Sequence, residues 1–471
     1  MTKSLDKRNF TEGPLFMKIF LFAVPLMLSG LLQVGYNMAD NIVVGKFSSD
    51  PIALAAVGSS SVYNALIVNF LLGFSIGAGV VVAQFFGRGD EDGVRRSVHT
   101  SMLIALISGV ALGAFGYVFT RPVLLLLDTK AELIDSATAY MHIICIGIPA
   151  SVIYNFGSSV LRSLGDSKSS LYILAGSGII NVLLNLFFVI VCDMAVRGVA
   201  LATIISEYLS AILVVAVMMM QKGSAHFRPG KMLLDRSVTL NIIKLGLPAG
   251  LCNSLFAVSS MLIAKAINTF SVETVYARTV VQNVDLLVTT VITSYSRSAL
   301  TFVAQNHGAG KLDRIKKSFW YSMIQMLVLT VIISQLILIF YRPIASLYIG
   351  KNNENPELIL DIARGMFRVL LNTYFLGGVM NILESTLRGI KYSLSPSIVS
   401  IFTIIVFRVI WVYFAFPYAP FNTANWLYAS FPISWGLASI AYTVIFIIAW
   451  KKLEKSFGKS SSDITLSKET K

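Results

Sequence analysis

Long apolar runs recur along the whole of this chain, and no other feature constrains its fold so strongly. A helix needs roughly 20 apolar residues to cross a hydrocarbon core of about 30 Å. Such runs lie over residues 15–39, 53–86, 97–120, 134–161, 168–192, 196–221, 238–265, 271–304, 318–341, 358–387, 393–416 and 431–450, which makes twelve. In lipid each backbone N–H and C=O must be satisfied within the segment or within a closed barrel. Runs of this length therefore read as helices, and the fold class is an all-α polytopic membrane protein. Of the 471 residues 13% are charged, where an average soluble domain has about 25%. That composition excludes a soluble enzyme, a disordered chain and a fibrous protein. Pro25, Pro149 and Pro248 fall inside spans and read as bends, because neighbouring helices can re-satisfy the freed carbonyls. The first run is too long for a signal-peptide core and no small-residue cleavage site follows it, so no cleaved leader is expected.

The net charge of +14 comes from 38 Lys and Arg against 24 Asp and Glu. On a soluble protein it would suggest nucleic acid as partner. Here it reports topology. With the spans alternating, 26 of the basic residues fall on the side that holds both termini and 7 on the other. Five more, Arg278, Arg297, Arg364, Arg368 and Arg408, lie within spans. Lys and Arg accumulate on the cytoplasmic side. Both termini are thus expected in the cytoplasm, with no nucleic acid as partner and lipid around the chain.

The chain also repeats itself. Residues 82–97, VAQFFGRGDEDGVRRS, align with residues 303–318, VAQNHGAGKLDRIKKS, at an offset of 221. Seven of the sixteen positions are identical, among them Gln84/Gln305, Gly87/Gly308 and Gly89/Gly310. A second block aligns LRSLGDSKS (161–169) with LRGIKYSLS (387–395) at offset 226, and Pro25 aligns with Pro248 at offset 223. Each repeat holds six spans, so the halves share one orientation: two parallel six-helix repeats. The expected division is a lobe over 1–221, a cytoplasmic linker over 222–237, a lobe over 238–455 and a tail over 456–471. Parallel repeats of this kind occur among secondary transporters, with binding sites near the midplane. The sequence has no Walker A motif, which leaves an ion gradient as the expected driver. Cys145, Cys192 and Cys252 have no zinc or redox spacing and read as buried, inert thiols. The four histidines show no metal spacing either.

Several stretches resemble the multidrug and toxic compound extrusion (MATE) family. They are Pro25 followed by MADNIVVGKF (38–47), LAAVGSSS (54–61), GFSIGAGVVVAQFFGRG (73–89), SVLRSLGDS (159–167), GVALATIISE (198–207), VAQNHGAGKLDR (303–314) and STLRGIKYS (385–393). The resemblance runs over essentially the whole chain and in family order in both halves. It implies two six-helix lobes set as a V, alternating access, and export of cationic or amphiphilic organic compounds against Na⁺ or H⁺. It implies a transporter, with no enzymatic chemistry and no cofactor beyond the coupling ion, working as a monomer.

Ionisable groups inside spans are costly and mark function by default. Gln33, Tyr36, Asn37 and Asp40 repeat at helical spacing and form one polar stripe on the first span. Asp40 fills the family's acidic position and is the expected coupling carboxylate. Asn181 and Asn185 are i, i+4 on the fifth span; Thr203 and Glu207 are i, i+4 on the sixth. Counted along the helices, Asp40, Asn185 and Thr203 reach one depth, so three helices bring oxygen atoms together. A hard cation such as Na⁺ wants several oxygens, at Asp40, Asn181 and Asn185 here; a proton site wants one carboxylate of shiftable pKa. Asn155 on the fourth span also fits the family's site, and Glu207 reads as a second titrating group. Gln33, Tyr36, Asn37 and Tyr154 are the substrate-cavity candidates. Phe70, Phe74 and Phe156 offer cation–π faces or ordinary packing, and Gly73, Gly77 and Gly79 read as points of close helix approach.

The departures from the family pattern are as informative. Asn185 stands where many members carry an aspartate. The stretch after Pro248, AGLCNSLFAVSS, lacks the acid of other members, and a further acidic position falls near Gly377. Asp40 itself pairs with Ile263 in the repeat. A second-lobe cation site is therefore not expected. Asp285, which aligns with Asn64, and Glu384, Arg388 and Arg408 read as a structural ion-pair network. Two rival readings stay open: a flippase for lipid-linked sugars on a related scaffold, and a major-facilitator porter, also six plus six. GRGDEDGVRR has the flavour of the latter's loop signature without its spacing.

Overall fold

A computed structural model describes residues 9–47, 53–126, 129–349 and 355–469. Among them eleven helices are long and apolar enough to cross a membrane. A further pair, Pro356–Leu371 and Tyr374–Gly389, qualifies as one span bent by 41°. Twelve spans result, each at the place the apolar runs predict. They are α1 (Leu15–Phe47), α2 (Ala53–Arg88), α3 (Glu91–Leu126), α4 (Ala131–Ser163), α5 (Lys168–Leu186, ending in a π-helical turn over Phe187–Val191), α6 (Ala195–Met220), α7 (Arg236–Ile267), α8 (Val272–Gly308) and α9 (Leu312–Ile339). After the short α10 (Tyr341–Ser346) come α11 and α12, the bent pair, then α13 (Leu394–Ala415) and α14 (Ala424–Glu469). Pro25, Pro149 and Pro248 all lie inside continuous helices. The outer faces are apolar, as lipid requires: Phe115, Val118, Ile212, Phe402 and Ile440 are all exposed.

The chain forms two compact units. The first holds residues 21–257, with the segment up to Asn9; the second holds residues 10–20 and 258–471. In the first unit α4 is the central helix and packs on α2, α3 and α6. In the second, α12 packs on α8, α9 and α14. These are the repeat equivalents of the same four helices. The repeat reaches the backbone in detail. Gly89 and Gly310, paired at offset 221, both take positive φ, +74° and +69°. Gly165 and Lys391, paired at offset 226, do the same at +84° and +72°. Each of the latter ends a helix in one hydrogen-bond pattern: Asp166 N–H to the Leu161 carbonyl and Tyr392 N–H to the Leu387 carbonyl, both at 2.9 Å. That six-to-one closure is the Schellman end of a helix. Side chains repeat too. Ser159 donates to the Ser75 carbonyl at 2.9 Å, while Ser296 and Ser385, at the equivalent places, hydrogen-bond to each other.

Each unit also binds a segment that leads into a first helix. In the second unit Phe10 stacks on Phe302 with ring centroids 3.9 Å apart, and Arg314 donates to the carbonyls of Phe10 and Gly13. In the first unit residues 222–237 are docked in the same way. Phe227 lies against His99, Thr100 donates to the Leu233 carbonyl at 2.9 Å, and Arg96 pairs with Asp235 at 3.0 Å. Asp235 caps α7: its Oδ1 accepts from Val238 N–H at 2.9 Å, which with the Arg96 guanidinium holds its carboxyl below the usual carboxylate range.

The start of α7 packs on α2 through opposed glycines. Gly73 and Gly77 on α2 face Gly246 and Gly250 on α7. A Cβ on Gly77 would stand 2.4 Å from the Ile242 carbonyl oxygen, and one on Gly246 would stand 2.4 Å from that of Phe74. Small residues spaced by four let two helix backbones touch, the packing that lipid-embedded helices favour. Gly79 fulfils the same expectation against Ser159. One expectation fails: Cys145 and Cys252 are buried but Cys192 is exposed, because it lies beyond the π-helical turn that ends α5.

Candidate functional site

Two polar groups sit within the first unit. The first joins α1 to α5. Tyr36 and Asp40 are one turn apart on α1; Gly178, Asn181 and Asn185 share a face of α5 at 3- and 4-residue spacing. Asn185 donates from Nδ2 to Asp40 Oδ1 at 2.5 Å and to Asn181 Oδ1 at 3.2 Å. Tyr36 donates to the Ala175 carbonyl at 3.1 Å. Its ring fills the space that Gly178 leaves, since a Cβ there would lie 2.0 Å from a ring carbon. Asn185 is fully buried and Asn181 nearly so. Among the described residues the buried Oδ1 of Asn185 has no hydrogen-bond partner. An acceptor left this way costs about 1–3 kcal/mol, and a hydrogen-bond donor or a cation would satisfy it.

The second group joins α4 to α6. Glu207 hydrogen-bonds to Ser151. Gly147, one turn away, leaves room for the carboxylate: a Cβ there would stand 2.8 Å from Glu207 Oε2. Asn155 turns back on its own helix and donates to the Ser151 carbonyl at 2.8 Å. Tyr140, 7% exposed on α4, lies within electrostatic reach of both Asp40 and Glu207. The first unit thus presents two carboxylates from α1 and α6, with a buried phenol in the field of both.

Not every predicted site residue joins these groups. Thr203 donates to the Val199 carbonyl of its own helix at 2.9 Å. Gln33 is exposed, and the side chain of Asn37 lies outside the described residues. Tyr154 packs, half-buried, against the apolar cluster of Val82, Val160, Leu161 and Phe227. Phe74 stacks on Phe70 and meets Phe156 edge-on at 5.3 Å, in ordinary core packing. Tyr140, Gly147, Ser151 and Gly178 are absent from the sequence expectation. The signal for the first three was present: Tyr140, Gly147, Ser151 and Asn155 follow one another at 7, 4 and 4 residues, a polar and small stripe on an otherwise apolar helix.

The second unit holds its own charges. Glu384 and Arg388 form a buried ion pair at 2.6 Å on α12. Asp285 and Arg408 interact at longer range and take no part in it. Gly377 lies beneath the Trp435 ring. Among the described residues no group of three or more His, Cys, Asp or Glu is placed to hold a metal ion.

The MatE family model matches this chain twice, over residues 25–187 and again over 248–414. Each match covers most of one repeat. "Probable multidrug resistance protein YoeA" of Bacillus subtilis is 26% identical over 82% of this chain and 83% of its own length. "Probable multidrug resistance protein NorM" of Thermotoga maritima is 23% identical over 82% of each. A protein of Shewanella oneidensis described as "FAD transporter" is 23% identical over 75% of this chain and 78% of its own. The crystal structure of a MATE protein in complex with MaL6 superposes with a TM-score of 0.87 at 19% identity, covering 97% of this chain and 100% of that one.

Proposed function

The chain belongs to the MatE family, a family of membrane transporters, and on that premise we propose that it is a cation-coupled antiporter. It exports organic cations and other amphiphilic compounds by alternating access, in exchange for inward Na⁺ or H⁺. The observation that carries this reading is the Asp40–Asn185–Asn181 group. The Asn185 amide nitrogen sits between two oxygens, Asp40 Oδ1 and Asn181 Oδ1, while its own oxygen lacks a partner. Half a turn of that amide would point three side-chain oxygens at one place, the donor set a hard cation takes. A proton would instead settle on Asp40 or Glu207, with Tyr140 in the field of both. Cation entry at Asp40 favours substrate release, and the cation-loaded, substrate-free lobe reorients. One charge crossing 100 mV supplies about 2.3 kcal/mol, enough for tens-fold accumulation of substrate.

The remaining assignments follow from the same premise. The protein sits in the cytoplasmic membrane as a monomer surrounded by lipid, with both termini inside. The proposed division assigns six-helix lobes to 1–221 and 238–455 and the cytoplasmic linker to 222–237. The test is uptake of a fluorescent organic cation into inside-out proteoliposomes with a Na⁺ gradient and a pH gradient imposed one at a time. Uptake under one of them supports the antiporter. Uptake under neither, at protein levels that bind the dye, contradicts it.

A further inference from the structure

The two docked segments differ in one chemical respect. In the second unit the backbone N–H of Phe10 donates to Gln305 Oε1 at 3.0 Å, an amide oxygen that does not titrate. In the first unit the comparable bond runs from the Arg228 N–H, next to the docked Phe227 ring, to Nε2 of His99 at 3.1 Å. A backbone N–H can only donate. Nε2 is therefore the bare nitrogen of a neutral imidazole, and Nδ1 carries the proton. Nδ1 has the acceptor this requires, the Arg95 carbonyl at 2.8 Å. Both ring nitrogens are thus committed, and His99 is 4% exposed on α3. A second proton on the ring would set one N–H against another, and the Arg228 bond would be lost.

The charged groups around this dock are otherwise engaged or exposed. On α3 Arg95 pairs with Asp92, and Arg96 pairs with Asp235 at 3.0 Å. On the linker Arg228 and Lys231 are exposed. The Asp235 carboxyl is held below the usual carboxylate range, by the Val238 N–H first and then by Arg96, so it stays ionised where an imidazole titrates. The helices α4, α5 and α6 meet the linker through Phe227, and their residues in that cluster are apolar: Leu161, Ile173, Val214 and Met218. His226 also titrates, but its Nδ1 lies 3.1 Å from the Gln221 carbonyl, a bond that a protonated ring keeps. Of these groups His99 is the one whose second proton and whose docking bond exclude each other.

We propose that His99 is a pH-sensitive latch, which holds residues 222–237 on α3 while its imidazole is neutral and releases them on protonation. Docking requires the neutral ring, so the undocked state binds more protons and docking strengthens with pH. It weakens as pH falls through the value of a free imidazole, about 6.5. At about one unit below that value a free imidazole is protonated about tenfold over neutral, and the docking constant falls by about the same factor. The latch acts on a helix start. Asp235 in the docked segment caps α7, and the first turns of α7 pack on α2 through the opposed glycines. On the antiporter reading this face is cytoplasmic, so acidification there loosens the start of α7. The latch itself depends on neither the coupling ion nor the substrate.

The test is hydrogen–deuterium exchange of the purified full chain in detergent between about pH 5.5 and about pH 7.5, with protection corrected for the intrinsic pH dependence of amide exchange. In the native protein, protection of the segment 225–236 is expected to fall about tenfold across that range as the pH drops. The segment 9–14, held through Gln305, should keep its protection. His99→Gln supplies an amide oxygen that does not titrate, and protection of 225–236 should then hold to within about twofold. His226→Gln should leave the native pH dependence in place. Unchanged protection of the core of α4 shows that each variant is folded. Should His99→Gln not fold, the native titration is judged against the segment 9–14 and against His226→Gln. Native protection of 225–236 that is flat with pH, or that falls together with 9–14, would overturn the latch. So would an equally steep fall in His99→Gln, or the loss of pH dependence in His226→Gln.

Discussion

Asn185 reaches across 145 residues of sequence to donate to Asp40 at 2.5 Å, tying α5 to α1 inside the apolar interior of the first unit. The contact fixes the carboxylate and leaves the amide oxygen of Asn185 unsatisfied. Under the proposed antiporter reading, both ends of that relationship bear on coupling. A hydrogen bond to a charged group contributes about 1.5–3 kcal/mol. Asn185→Leu is therefore expected to lower ion-driven dye uptake by about 10- to 100-fold. Asn185→Gln, which keeps donor and oxygen, should retain more. The check is initial uptake rate in proteoliposomes at matched reconstitution.

Tyr140 is the group that both carboxylates feel. Tyr140→Phe removes the hydroxyl and keeps the packing of the buried ring. A change the size of one neutral polar interaction, about 0.5–1.5 kcal/mol, corresponds to a roughly 2- to 10-fold loss. The expected signature is a shift in the ion dependence of uptake with thermal stability unchanged. An unaltered ion dependence would remove Tyr140 from the coupling group.

The glycine contact between α2 and α7 predicts a structural failure in place of a functional one. A Cβ at Gly77 would meet the backbone of Ile242 and Gly246, which cannot step aside. Overpacking costs about 1–3 kcal/mol when neighbours can yield, and here they are main chain. Gly77→Val and Gly246→Val should each lower the melting temperature of the detergent-solubilised protein by several degrees. Gly35→Val, at a place where a Cβ meets nothing within 4 Å, serves as the control.

Asp235 caps α7 and pairs with Arg96 outside the membrane spans. Its carboxyl is held low chiefly by the Val238 N–H, then by Arg96. A carboxyl lowered in the folded state stabilises above the unfolded pKa, and that contribution is lost as pH falls through the folded value. Asp235→Ala should cost about 1 kcal/mol, a typical N-cap loss. The difference in melting temperature between the two proteins should be full at neutral pH and close as the pH drops below the normal carboxylate range.

The spans were legible because crossing a bilayer leaves a run of about 20 apolar residues in the sequence. The repeat was legible in VAQ-x-x-G-x-G, whose last glycine takes the same left-handed backbone in both halves. Gly165 and Lys391 show the limit of such reading. They align and share a conformation, yet nothing in a lysine announces positive φ. The break after Leu371 falls on Asn372 and Thr373, two polar residues that a single span over 358–387 passes over because the run is apolar on either side of them. Asp40, Asn181 and Asn185 could be picked out as polar residues where polarity is costly. Thr203 looked the same by that test, but a threonine can satisfy itself on its own helix, and it does so on Val199. Tyr140 lies on a stripe with Gly147, Ser151 and Asn155, but a tyrosine there reads as packing until the charges around it are known.

The central claim is that Asp40 couples the cation to export, and one measurement bears on it most directly. Native protein and Asp40→Asn, reconstituted at equal density, are compared for dye uptake driven by the gradient that the native protein uses. Binding of the same dye is measured in detergent. The account predicts that Asp40→Asn still binds dye within a few-fold of native and loses gradient-driven uptake by about 10-fold or more, as expected for removal of a buried charged group. Uptake at the native rate with unchanged ion dependence would contradict it.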